Sequence, residues 1–312
     1  MKKHKVGIII VNWNNYQETL ECLSSLVRAT SQKSSMEIIL IDNASTDGSV
    51  LAINQWLKEN RLDVLLVQNK QNLGFAGGNN VGFQAVLNNK EFDYAMLLNS
   101  DTLVKEDFLD RLIDVVEKDE NIGCAQSLLL KPDKETVDSL GQEMTGLNIR
   151  DKSQGQKWNN EINSPKEIFG PCAAAALYRT SALKKSGVFD ETFFIGLEDV
   201  DLSWKIRLAG FASYLAPKSI VYHKGGVSRE KKKKSPKVEL YSFLNSARIF
   251  SLYYPLSMKM RFFIFYLLIR SYIASKKAGI KISFKREWKR LQAKRRDLDQ
   301  FLLKDIQQKW IK

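Results

Sequence analysis

An α/β fold on a mostly parallel, twisted sheet flanked by helices, with a C-terminal helical extension, is what this 312-residue sequence predicts. Three observations carry the expectation. Short, unbroken apolar runs alternate with stretches of helical period through the first half of the chain. Clusters of Asn and Asp fall where the apolar runs end, and the chain changes character after Lys231. Unbroken runs fit strands buried on both faces, and the periodic stretches between them supply the crossover helices that parallel pairing needs.

The elements follow in order. VGIIIV is a strand, Tyr16 to Arg28 a helix, EIILID a strand, Val50 to Leu57 a helix, and DVLLVQ a strand. Phe75 to Leu87 is helical, DYAMLLN is a strand, Phe108 to Val116 places Leu109, Leu112 and Val116 on one helical face, and NIGCAQ is a strand. From Leu128 to Ile168 the rhythm breaks: Pro132, Gly141, Gly146, Gly155 and Pro165 mark a long excursion with short strands that covers one end of the sheet. PCAAAALYR reads as a tightly packed strand, and Glu198 to Ala209 as a helix closed by Gly210. FASYLAP and SIVYH read as two last strands, and the block SREKKKKSPK as a loop. Residues 1–230 then form the main domain, and 231–312 an aromatic, basic helical extension ending in a basic tail from Lys276.

Composition narrows the function classes. A formal charge of +13 suits a polyanionic partner, but much of the excess lies beyond Lys231, away from the polar strand ends. No RNP, GxxG or zinc spacing is present, which argues against a nucleic-acid-binding protein. Cys22, Cys124 and Cys172 lack metal spacing and read as free thiols of a reducing, cytoplasmic setting. The apolar run after MKKHK is too short for a signal peptide, and no segment reaches the roughly 18 to 20 apolar residues of a spanning helix.

Four polar clusters end the strands: Asn12-Trp13-Asn14, Asp42-Asn43, Asn69 to Asn72, and Asn99-Ser100-Asp101. In open parallel sheets, ligands bind beyond these ends. No GxGxxG and no GxxxxGK[ST] occurs, so a nucleotide is held another way. Asp101 reads either as a helix cap, a role Thr102 can also take, or as a ligand for a hard cation. Glu198-Asp199 suits a helix dipole or a general base. His223 is a structural residue or a metal ligand, and His4 sits in a frayed N-terminus. NLGFAGGNN, residues 72–80, places three glycines and three asparagines at a strand-to-helix turn, where a cap or a close approach to the backbone must justify them. Gly78 and Gly82, four apart, also let the helix lie close to the sheet.

In order, VGIIIVNWN, ILIDNASTDGS, NLGFAGGNN, LLNSDT, GVFDETFFIGLEDVDLSWKIRLAG and VYHKGGVS resemble the family 2 glycosyltransferases, in particular the rhamnosyltransferase-like branch of bacterial surface polysaccharide synthesis. The resemblance runs over about residues 5 to 275. It implies a GT-A fold and inverting transfer of one sugar from a dTDP- or UDP-linked donor to a saccharide or polyprenyl-linked acceptor, with Mg or Mn. It places Asn12 and Asn14 along the nucleotide, Asp42 at the base, Asn72 and Gly77 beside it, and Asn80 closing the pocket. Asp101 becomes the metal ligand of a DxD-type motif, with Asn99 in place of the first acid, and His223 completes the metal and diphosphate site. Asp199, paired with Glu198, becomes the catalytic base. The QxxRW of processive synthases is absent. The remaining rivals are a non-catalytic partner in a polysaccharide assembly complex and a sugar nucleotidyltransferase, whose Gly-rich and basic signature near the first strand is missing. The cationic, aromatic extension suits an anionic bilayer, which implies a peripheral protein on the inner face of the cytoplasmic membrane.

Overall fold

A computed structural model describes residues 3–225 and 236–311. Parallel pairing joins β1 (His4–Asn12) to β2 (Ser34–Asp42) and to β4 (Tyr94–Leu98), and β2 to β3 (Val64–Gln68). The crossovers are α1 (Tyr16–Arg28), α2 (Ser49–Asn60) and α3 (Gly74–Asn88). After β4 come the short β5 (Thr102–Val104), α4 (Phe108–Val116) and β6 (Ile122–Leu130). The excursion supplies β7 (Val137–Ser139), a β8–β9 hairpin (Gln142–Thr145, Asn148–Asp151) and β10 (Lys166–Ile168). β11 (Ala175–Arg179) inserts antiparallel between β4 and β6, followed by α5 (Thr180–Ser186), α6 (Glu198–Leu208) and β12 (Ala212–His223). The main sheet runs β10-β12-β6-β11-β4-β1-β2-β3, with β5 paired to β12 and β7 to β6.

Apolar side chains on the two faces of this sheet make two core clusters. Ile8, Ile10, Leu40 and Met96 meet Leu23 of α1 and Leu109 of α4 on one face, while Ile9, Ile39 and Ile41 meet Phe83 of α3 on the other. The alternation of Ile8, Ile9 and Ile10 between faces explains why β1 reads as an unbroken run.

Several local expectations need correction. FASYLAP and SIVYH form one strand, β12, whose pairing with β6 shifts register between Ala216 and Ile220. The irregularity around Pro217 mimics a chain break in sequence because proline supplies no ladder donor. His4 is not frayed: it pairs with Ser34 and packs edge-on against Tyr94. Thr102 caps no helix but opens β5, and Asp107 precedes α4. The excursion also begins later than expected, because Leu128 to Leu130 complete β6.

Beyond the undescribed residues, α7 (Pro236–Tyr253) and α8 (Met258–Lys277) pack against each other, and α9 (Phe284–Arg296) and α10 (Gln300–Trp310) follow. The basic tail is therefore not a free polycation. Leu291, Leu303 and Ile306 are buried in one cluster with Phe169, Phe193 and Trp204 of the sheet-bearing part. Trp204 stacks on Tyr253 at 4.9 Å, and Arg207 lies 4.3 Å from the Trp310 ring centre. No helix among the described residues is long and apolar enough to cross a membrane.

Candidate functional site

The carboxyl ends of β1, β2 and β3 carry a network of neutral amides. Asn12 donates to Asp42 Oδ1 at 2.8 Å and accepts from Thr19. The other oxygen of Asp42 accepts from the Ser45 N–H, and Asn14 Oδ1 accepts from the Thr46 N–H, which together fix the turn after β2. Asn43 is the hub: its amide reaches Asn72 and the Gly74 carbonyl, and its oxygen takes protons from Asn69 and the Leu73 N–H. Asp42 is 2% exposed, so it acts chiefly through the turn it holds, whereas Asn14 is exposed.

The glycines of 72–80 have protein neighbours. Gly74 has φ +76°, and a Cβ there would strike the Phe194 carbonyl. A Cβ at Gly82 would strike Ile9, so that glycine sets how closely α3 lies on the sheet, as expected for the Gly78–Gly82 pair. Gly77 sits against Leu73, where a Cβ would come within 2.8 Å. Asn80 donates to the Phe189 carbonyl and Glu191. Neither Gly77 nor Asn80 shares a hydrogen bond with the Asn12–Asp42–Asn43 network in this structure.

Charge collects on the other side. β12 ends on His223, whose Nδ1 is 2.6 Å from Asp138 and whose Nε2 is 3.2 Å from Asp101 and 3.3 Å from the Asn99 amide. Burial pulls the imidazole down, but Asp101 and Asp138 outweigh it and raise its pKa to about 9. Burial likewise works to raise Asp101, yet His223 holds it below the ordinary carboxylate range. A histidine whose far nitrogen is anchored by a carboxylate is oriented as metal-binding histidines are. The donor set of Asp101 and His223 fits a cation that displaces the Nε2 proton and takes its remaining ligands from a diphosphate. Among the described residues, no group of three or more His, Cys, Asp or Glu is arranged for a metal without that help.

Glu198 and Asp199 open α6 after Leu197, a non-glycine residue with φ +64°. Burial, then the charge of Asp199, pushes the Glu198 carboxyl upward; burial, then Asp151, does the same to Asp199. Asp199 Oδ2 accepts from the Ala173 N–H at 3.3 Å, and the next carbonyl, Ala174, accepts from the Asn99 N–H at 2.9 Å. The two acidic motifs thus meet across the start of β11.

The structure joins Asn12, Asn14, Asp42 and Asn72 at one edge, Asn99, Asp101 and His223 at another, and sets Asp199 beside the second. Asp138 and Asn43 went unassigned in sequence. Asp138 lies in the motif-free excursion, and only the Asp42-Asn43 doublet hinted at the latter. The four-lysine block, Lys231 to Lys234, which the sequence leaves open between a loop over the diphosphate and a solvated face, lies outside the described residues.

Residues 7–187 match the family model described as glycosyl transferase family 2. The chain belongs to that family. A poly-beta-1,6-N-acetyl-D-glucosamine synthase of Staphylococcus aureus is 28% identical over 200 residues, 63% of this chain and 44% of the relative. Its counterpart in Staphylococcus epidermidis is 23% identical over 220 residues, 70% of this chain and 49% of the relative. The chain spans about half the length of these curated relatives. GalNAc-T7 with UDP, GalNAc and Mn2+ superposes with a TM-score of 0.58 at 17% identity, covering 86% of this chain and 55% of that one. S. aureus TarS 1-349 with UDP-GlcNAc gives 0.55 at 17% identity over 91% and 77%. These likenesses, with the mixed sheet flanked by helices, establish the GT-A fold.

Proposed function

We propose that this protein transfers a single sugar, with inversion, from a nucleoside diphosphate sugar to a hydroxyl of a saccharide or lipid-linked acceptor in cell-surface polysaccharide synthesis. One observation supports this above the others: Asp199 and the Asn99–Asp101–His223 group lie on either side of Ala173-Ala174, so a base and a diphosphate site share one wall. Asp199 accepts the proton of the acceptor hydroxyl, whose oxygen bonds to the anomeric carbon. The bond from that carbon to the donor phosphate oxygen breaks, and its electron pair leaves with the diphosphate. The upward-shifted carboxyl of Asp199 suits a base that works near neutral pH. Mg or Mn, held by Asp101 and His223, would offset the charge growing on the leaving diphosphate. Asn12, Asn14, Asn43 and Asn72 line the nucleotide side, with Asp42 holding the turn beside it. The donor is dTDP-rhamnose or a UDP-linked sugar; mannosyltransferase PcManGT from Pyrobaculum calidifontis, of the same fold, was solved with GDP-Man and Mn2+.

A panel of nucleotide sugars, with and without Mn, tests this by thermal shift and then by transfer. A dTDP or UDP sugar should stabilise the protein, and NAD should not. Asp199→Asn should keep that shift and lose turnover by about 10²- to 10⁴-fold. Normal transfer by this variant removes the base assignment.

We also infer peripheral attachment to the anionic inner face of the cytoplasmic membrane, through α8. Ile264, Leu267 and Ala274 of α8 are buried, yet Met258, Phe262, Phe265, Tyr266, Ile269, Tyr272 and Ile273 on the same helix are 44–75% exposed. From Leu240 to Arg286 the chain has no acidic residue, and Lys259, Arg261, Arg270, Lys276 and Lys277 flank the exposed rings. Each such cation near an anionic surface is worth about 1 kcal/mol. Co-sedimentation with anionic but not neutral liposomes at low salt is expected. Phe262→Asp with Phe265→Asp should abolish it without lowering the melting temperature, and retention by this variant would exclude α8 as the contact.

A further inference from the structure

The segment 189–197, which delivers Glu198 and Asp199, is held from two sides. On the donor side, Asn80 binds the Phe189 carbonyl and Glu191, and the Ala76 N–H donates to the Phe194 carbonyl at 3.2 Å. On the other side stand the C-terminal helices. Asn245 of α7, fully buried, directs its side-chain amide to the carbonyls of Phe193, Ile195 and Gly196 at 2.9, 3.1 and 2.7 Å. Arg248, one turn on, donates to Asn245 Oδ1 at 2.8 Å and to the Thr192 carbonyl, and it pairs with Glu287 of α9. Arg290 and Lys294 of α9 close on Asp190 at 3.0 and 2.6 Å.

Phe194, Gly196 and Leu197 all have positive φ. A bulky residue keeps such a backbone only where its surroundings over-determine it. The carbonyls that Asn245 holds flank these residues, and Leu197 is where the Asp201 N–H makes the first turn of α6. The direction of Glu198 and Asp199 is thus set by a turn whose polar groups are satisfied from α7.

We propose that Asn245 is a positioning residue for the acidic pair: through three backbone carbonyls it fixes the left-handed turn that aims Asp199 into the site. The assignment rests on Asp199 acting as the base. It gives the C-terminal helices a part in the chemistry through the backbone turn that precedes Glu198. Asn245→Asp keeps the shape and volume but replaces the donor with an acceptor facing three carbonyls, so the turn loses its anchor. The nucleotide edge reaches the turn through α3, where the Ala76 N–H donates to the Phe194 carbonyl, a bond that Asn245 does not make.

The experiment compares Asn245→Asp with Leu252→Ala, a core truncation seven residues further along the same helix that removes none of the turn's hydrogen bonds, and with Arg290→Gln, whose native arginine pairs with Asp190 at the start of the strapped segment. With the donor selected by the nucleotide-sugar panel, Asn245→Asp should lower kcat by at least about tenfold and leave the donor KM within about twofold, the pattern of a group that acts only in the transition state. Arg290→Gln should do the same more weakly, which keeps the test decisive if the first variant folds poorly. Leu252→Ala should lower the melting temperature with kcat unchanged. Hydrogen exchange should accelerate at residues 193–201 in Asn245→Asp and not in Leu252→Ala. Unchanged exchange there, or unchanged kcat in both strap variants while Asp199→Asn is inactive, overturns the proposal. Full activity of Asp199→Asn overturns the base assignment instead, and the exchange data then judge the turn by itself.

Discussion

The two walls of the site are built on opposite principles. Around β1 to β3 the polar groups are mostly neutral and satisfy one another: Asn12, Asn43, Asn69 and Asn72 exchange hydrogen bonds, with Asp42 as the acid among them. Around β4, β12 and α6 the groups are titratable and crowd one another. His223 is caught between two carboxylates, and the buried Glu198 stands beside the half-buried Asp199. A neutral network gives a rigid rim at little electrostatic cost. Buried charges are costly to keep and are held where a reaction needs a proton acceptor or a cation.

The sharpest way to break this comparison is to remove one member of each wall. Asp138→Ala deprives both His223 and Lys131 of a buried partner, and should cost about 3–5 kcal/mol in urea unfolding. Asn43→Ala removes the amide hub and should cost less, about 1–3 kcal/mol, because only neutral groups are left unpaired. A larger loss for Asn43→Ala would invert the comparison.

A smaller effect sharpens it. Because the Glu198 pKa is raised in the fold, the native state holds a proton that the unfolded chain releases first. Its contribution is therefore greatest below the ordinary glutamate range and declines as pH rises toward the raised value. Stability measured across that window should fall less steeply with pH in Glu198→Gln than in the parent. Parallel slopes would show that the glutamate is not held in its protonated form.

Much of this was legible in the chain. The limits expected for α1, Tyr16 to Arg28, and for α4, Phe108 to Val116, agree with the structure to the residue. Apolar periodicity is a local property, written within each element, and so is the placing of polar residues where β1, β2 and β4 end. The order of motifs also pointed to the family. Three features were not local. The bulged register of β12 on β6 is set by its partner strand. The Asp138–His223 pair joins an unremarkable excursion to the last strand. The aromatic residues of α8 are spread around the helix among its basic ones, and only its packing on α7 decides which rings face outward. The amide of Asn245 is the same case. In sequence it is one polar residue in a helix, and it meets the turn before Glu198 only because α7 packs against α6. The sequence by itself determined the elements and the chemical identity of the strand ends. Tertiary structure decided which charges are paired, buried and aimed, because burial and partnership arise from residues far apart in the chain.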